Sequence, residues 1–208
     1  MRNRLIVLLI AMGLALPVYA EEAKEAAEPT PEAKLNDLAV EYTLRYQFSG
    51  PAKAIPVAEQ ALAFAEQAFG PEHERVAQVL NDLGHLYQAQ GDAAKALGFH
   101  ERALKIREQL FAGDGPSVVQ SLVNLAKAYA AQHRDADAQP LFKRALTIAE
   151  RHVQPTDPFL LGILGPYADS LRRSGKREAA EAVEARIAGI KTTESGAEKT
   201  PSISEVLQ

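Results

Sequence analysis

The segment VAQVLNDLGHLYQAQG, residues 76–91, returns 42 residues later as VVQSLVNLAKAYAAQH, residues 118–133. The correspondence continues downstream. With Val76–Ser117 set above Val118–Phe159 without a gap, 15 of the 42 positions are identical, among them Leu83/Leu125, Tyr87/Tyr129, Ala96/Ala138, Ala103/Ala145 and Glu108/Glu150. Repetition at this period marks an array of small units, each burying its apolar face on its neighbours.

Each unit reads as two helices. Val76, Val79, Leu80, Leu83, Leu86 and Tyr87 recur at helical spacing. Gly91 tolerates the positive φ of a helix end, and Asp92 follows as an N-cap. The second helix carries Ala96, Phe99, Ala103, Leu104, Ile106 and Leu110. Pro116, and in the next copy Asp157-Pro158, stand where a helix begins, because the missing N–H of proline is unused at the first position. Gly84/Ala126, Ala96/Ala138 and Ala103/Ala145 mark places where two helices approach closely.

The pattern of Leu83, Gly84, Tyr87, Ala96 and Ala103, and of Leu125, Ala126, Tyr129, Ala138, Phe142 and Ala145, resembles the tetratricopeptide repeat. His100 stands where that pattern has an aromatic residue. The unit is longer than the common form of about 34 residues and is similar to the variety found in kinesin light chains and many bacterial proteins. That variety usually carries His-Pro at the turn; Gly115-Pro116 and Asp157-Pro158 depart from it. The resemblance implies an all-α fold, a right-handed α-solenoid of antiparallel helix pairs.

Outward from the two clear copies, 35–75 reads as a degenerate first repeat. Tyr42, Tyr46 and Gly50 echo Tyr87 and Gly91 with a one-residue slip, while Ala54, Ala61, Leu62 and Phe64 keep the 42-residue register. Pro56 predicts a kink, or a helix that starts near Ile55. After 118–159, a closing pair spans 160–190. It keeps Leu164, Tyr167, Ala168, Leu171, Gly175 and Ala180 in register, holds Pro166 inside its first helix, and ends with a charged helix over Arg177–Ile190. The domain is therefore expected over 35–190, with 21–34 a disordered linker and 191–208 a flexible tail.

Met1–Ala20 has the physics of a secretory signal: Arg2 and Arg4, an apolar run over Leu5–Leu16, then Val18-Tyr19-Ala20 before two glutamates. The run is too short for a spanning helix, which needs about 20 apolar residues. Cleavage after Ala20, in a bacterial periplasm or outside the cell, is expected, with no stable membrane anchor left behind. The remainder holds 21 basic against 27 acidic residues, a formal charge of −6. That balance argues against a nucleic-acid footprint. The absence of Cys removes disulfides and thiol chemistry.

No catalytic or metal-ligating constellation stands out, so no cofactor and no metal are expected. His73-Glu74-Arg75 and His100-Glu101-Arg102 lack a second His at helical spacing. Ser174-Gly175-Lys176 lacks the upstream Gly and the strand of a phosphate loop, and no nucleophile elbow occurs. Binding of a protein or peptide partner is the expectation. The resemblance implies that the first helix of each pair lines a concave groove. Projected groove positions are Gln78, Asn81, His85 and Gln88 in one copy, and Gln120, Val123, Asn124 and Lys127 in the next. Gly162, Gly165 and Pro166 at the third pair leave only Lys127 for a carboxylate clamp. An envelope adaptor is thus the first expectation, a self-associating structural module the second, and an enzyme such as a cell-wall hydrolase the third.

The register itself is testable. Ala138→Leu should overpack a helix crossing by about 1–3 kcal/mol and lower the midpoint of thermal unfolding. An unchanged midpoint would remove Ala138 from the crossing.

Overall fold

The computed structural model describes residues 29–197. Over these the chain is an all-α solenoid of four helix pairs. They are α1 (Pro31–Ser49) with α2 (Pro51–Phe69), α3 (Glu74–Gln90) with α4 (Ala93–Leu110), α5 (Pro116–Ala131) with α6 (Asp135–Ala149), and α7 (Leu161–Arg173) with α8 (Arg177–Ala197). No strand occurs among the described residues. Each helix packs on its pair mate, and α2, α4 and α6 each pack on the first helix of the next pair, with lighter contact of α3 with α5 and of α5 with α7.

The predicted caps form. Asp92 accepts the Lys95 N–H at 3.2 Å, and Gly91 sits at φ 91°. At the equivalent turns Gly175 takes φ 75° and His133 φ 58°, a left-handed conformation that a Cβ makes costly. Pro116 opens α5. Pro158 instead opens a 3₁₀ turn, Pro158–Leu160, capped by Asp157 Oδ1 on the Phe159 N–H at 2.8 Å, and α7 follows from it.

Three boundaries differ from expectation. Helix α1 starts inside the segment 21–34 expected as linker, because Thr30 Oγ1 accepts the Ala33 N–H at 3.2 Å and Pro31 supplies a preset first turn. Helix α2 starts at Pro51 rather than near Ile55 and runs through Pro56, its sixth residue. Helix α8 continues past Ile190 to Ala197, since no Pro or capping signal interrupts Lys191–Glu194. The expected signal segment 1–20, the rest of the linker over 21–28 and the tail over 198–208 lie outside the described residues.

Helix crossings use the small residues. Ala54, Ala96, Ala138 and Ala180 fall one repeat apart, and all are at most 3% exposed. The apolar core forms two clusters that meet on α4. Its Ala96, Ala103 and Ile106 join the cluster of α1 to α3, while its Leu97 and Leu104 join that of α5 to α8. On the other side of the array, second helices are bridged by ion pairs in register: Arg102 to Glu66 at 2.5 Å, then Arg144 to Glu108, then Arg186 to Glu150. Each exposed pair is worth roughly 0–1 kcal/mol alone, but their long side chains span a gap the first helices do not have.

Where the two clusters meet, the interior is polar. His100 of α4 is fully buried, and its Nδ1 lies 3.1 Å from Asn81 Oδ1 of α3. Asn81 Nδ2 reaches Ser121 Oγ of α5 at 3.4 Å. Arg107 donates to the same Ser121 Oγ at 2.9 Å and to Glu74 Oε1 at 2.8 Å. One repeat later these positions hold Val123, Phe142 and Ala149. Gly84 makes the exchange possible: a Cβ there would lie 2.4 Å from the His100 ring, whereas Ala126 sits at the matching place opposite the Phe142 copy.

Burial, which penalises the charged imidazole, lowers the His100 pKa from 6.5 to about 4. The folded chain therefore resists a proton that the unfolded chain accepts. The stability this represents is complete above pH 6.5 and is lost as pH falls toward 4, on the order of 3 kcal/mol. Urea unfolding between pH 7 and 4.5 should show this loss. The variant Asn81→Val, Gly84→Ala, His100→Phe, which copies the second unit into the first, should flatten it.

Candidate functional site

The first helices α3, α5 and α7 approach one another directly, so their free sides form one continuous inner surface. Two recesses interrupt it. One lies between α1 and α3 and is lined by Tyr42, Thr43, Tyr46, Asp82, His85 and Leu86, with about 490 Å³ of open space. The other lies between α5 and α7, with about 870 Å³. Its walls are Val119, Gln120, Val123, Asn124 and Lys127 on α5, faced by Phe159, Gly162 and Ile163.

Local sequence explains these positions. On α5, residues 120, 123, 124 and 127 recur at the helical spacing that keeps one face. Opposite them Gly162 offers no side chain, and a Cβ built there would meet nothing within 4 Å. The recess thus exists because α7 is bare where α5 is polar. Lys127 also borders an adjoining hollow with Ala130, Ala131, Gly165, Pro166, Asp169 and Arg173.

The structure brings Gln120, Val123, Asn124 and Lys127 together in the α5–α7 recess. It places His85 in the α1–α3 recess instead. Gln78 is exposed, and its Oε1 accepts from Arg75 Nη1 at 3.1 Å. Gln88 is half-buried and lines neither recess. Asn81 points away from the groove: it is 6% exposed, and both ends of its carboxamide serve the polar seam with His100 and Ser121. Its neighbour Asp82 takes the groove place, and does so in the 42-residue register of Asn124. The strict register pairs Gln78, Asp82 and His85 with Gln120, Asn124 and Lys127. Applied position by position, it was the signal that identifies Asp82.

Two properties distinguish the α5–α7 recess. Asn124 is only 8% exposed, yet its Nδ2 has no hydrogen-bond partner. Such a buried donor costs about 1–3 kcal/mol until something accepts from it. Lys127 is exposed and forms no ion pair among the described residues, whereas nearby Arg173 is engaged by Asp135 at 2.6 Å and Asp169 by Arg172 at 2.9 Å. The Arg173 guanidinium holds the Asp135 carboxyl below its usual range. Two amide side chains, Gln120 and Asn124, and the Lys127 ammonium therefore line a partly apolar hollow, with the Asn124 Nδ2 donor lying just beneath its surface. That set suits the carbonyls of an extended main chain. Among the described residues no group of three or more His, Asp or Glu is arranged to hold a metal ion, and no helix is long and apolar enough to cross a membrane.

Comparison with known families matches the tetratricopeptide repeat over residues 46–109 and 76–151. A comparison with curated protein sequences gives no match. Among solved structures, the chain is similar to BtubC (BKLC) from P. vanneervenii, with 21% identity, a TM-score of 0.75, and 89% of this chain and 75% of that one covered. It is also similar to a putative kinesin light chain with nearly identical TPR-like repeats from Podosopora anserina. There the identity is 18% and the TM-score 0.69, with 92% of this chain and 94% of that one covered.

The two asparagines should separate on substitution. Asn81→Ala leaves buried His100 without a partner, removes one of the two donors to Ser121, and should cost about 1–3 kcal/mol. Asn124→Ala removes a buried donor that bonds to nothing and relieves its desolvation cost, so Tm should not fall. Calorimetry of the two variants checks this, and equal losses would contradict the division of labour.

Proposed function

Because the chain belongs to the tetratricopeptide repeat family, we propose that it is a non-enzymatic scaffold that grips an extended segment of a partner protein along the inner surface of α3, α5 and α7. Repeats of this family mediate protein–protein interaction. The observation that carries the groove reading is the buried, unpartnered Nδ2 of Asn124, flanked by Gln120 and the unpaired Lys127. A polypeptide in the α5–α7 recess gives that donor an acceptor and sets apolar side chains against Phe159 and Ile163.

We place the scaffold in a bacterial envelope. Support comes from the positive, apolar and small-residue order of Met1–Ala20, and from the absence of Cys, which leaves nothing for the redox state of that compartment to act on. A second reading, self-association, has one observation in its favour. Val40, Leu44 and Phe48 follow one another at four-residue spacing on α1 and are 59%, 47% and 77% exposed. Sedimentation over a wide concentration range decides it, and a strict monomer ends it.

Affinity capture from envelope extract tests the first reading, with the full chain and the variant Gln120→Ala, Asn124→Ala, Lys127→Ala as baits. A partner retained by the native chain and lost by the variant is the expected result. A partner held equally by both would move the site off the inner surface. Sequencing of the exported protein should begin at Glu21.

A further inference from the structure

The recess between α1 and α3 has the opposite chemistry to the one between α5 and α7. Its floor is a carboxylate. Asp82 is half-buried, and its Oδ2 accepts the Tyr42 hydroxyl at 2.5 Å. No Lys, Arg or His lies within ion-pair distance of Asp82 among the described residues. The charges that reach it through space are His85 and Arg107. Arg107 is already committed to Glu74 at 2.8 Å and Ser121 at 2.9 Å. His85 sits on the recess rim, and burial biases it toward its neutral form. Burial likewise raises the Asp82 carboxyl, against the opposing effects of the Tyr42 hydrogen bond and the His85 and Arg107 charges. Tyr46, 46% exposed, lines the same recess and brings an aromatic ring of the kind that attracts a cation.

We propose that this recess receives the ammonium group of a lysine side chain borne by the same peptide that lies against Gln120, Asn124 and Lys127. The statement rests on the groove reading and adds the chemistry of one ligand side chain and its place along the groove. Occupancy of Oδ2 by Tyr42 selects between the two basic side chains. A guanidinium draws its advantage from two parallel bonds to both carboxylate oxygens, and here the Tyr42 hydroxyl already uses one lone pair of Oδ2 and crowds that approach. An ammonium needs one oxygen and rests its charge over a tyrosine ring. Leu86 and the Tyr42 ring supply apolar surface for the lysine stem. Lys127, one repeat along, repels a second ammonium, so the groove is polar along its length: it takes a cation at α1–α3 and oxygen acceptors at α5–α7.

The test uses the full chain and a probe of known composition, Nα-acetyl-lysine amide, followed through the aromatic proton resonances of Tyr42, Tyr46 and His85. Saturable shifts of these rings are expected, with the norleucine analogue, which lacks the ammonium, and the arginine analogue at least tenfold weaker. Asp82→Asn keeps an acceptor for the Tyr42 hydroxyl and should weaken the lysine probe at least tenfold. Tyr46→Leu, at an exposed site, should weaken it severalfold. Equal binding of norleucine, or undiminished lysine binding to Asp82→Asn, overturns the proposal. Partner capture that depends on Gln120, Asn124 and Lys127, without lysine shifts, overturns the lysine recess alone. Lysine shifts combined with capture indifferent to those three residues overturn the claim that one peptide spans both recesses.

Discussion

A helix in a linear array must bury two faces, one on its pair mate and one on the next pair. No single apolar stripe serves both. Helix α4 shows the solution in its sequence: Ala96, Ala103 and Ile106 meet the preceding helices, and the adjacent Leu97 and Leu104 meet the following ones. The alanines let axes approach to about 8–10 Å, and the leucines fill the wider space between pairs. First helices α3, α5 and α7 touch in succession, whereas successive second helices are joined by Arg–Glu pairs.

On α3 a core position and a recess position lie one residue apart. Asn81 turns inward and completes the polar seam; Asp82, about 100° further round α3, turns into the recess. The seam replaces apolar contact by hydrogen bonds that connect α3, α4 and α5. It is therefore sensitive to acid in a way that the Phe142 copy is not, and it fixes α3 against α5, the two helices that carry both recesses. The His100 ring fits there only because Gly84 has no side chain, since a Cβ would lie 2.4 Å from it.

The repeat register, the helix pairs and the close-packed alanines were legible in the sequence because periodicity is a property of backbone geometry. That Gln120, Asn124 and Lys127 share one helix face was legible for the same reason. Asn81 was misplaced because a projection tied to residue type preferred an amide to the carboxylate beside it, although Asp82 is the residue in register with Asn124. The start at Pro31 was hidden because 21–34 carries no apolar periodicity, and the start at Pro51 because Pro56 drew the boundary toward Ile55; behind Thr30 and Gly50 each proline is an initiator. The pairing of Tyr42 with Asp82, 40 residues apart, depends on how α1 docks, and no local pattern records that.

The claim on which the rest depends is that the inner surface of α3, α5 and α7 is where a partner lies. Amide hydrogen exchange of the full chain, alone and with its captured partner, measures this directly. Added protection concentrated in α3, α5 and α7, with α2, α4 and α6 unchanged, is the expected result. Protection confined to α2, α4 and α6, or to the outward side of α1, would contradict it.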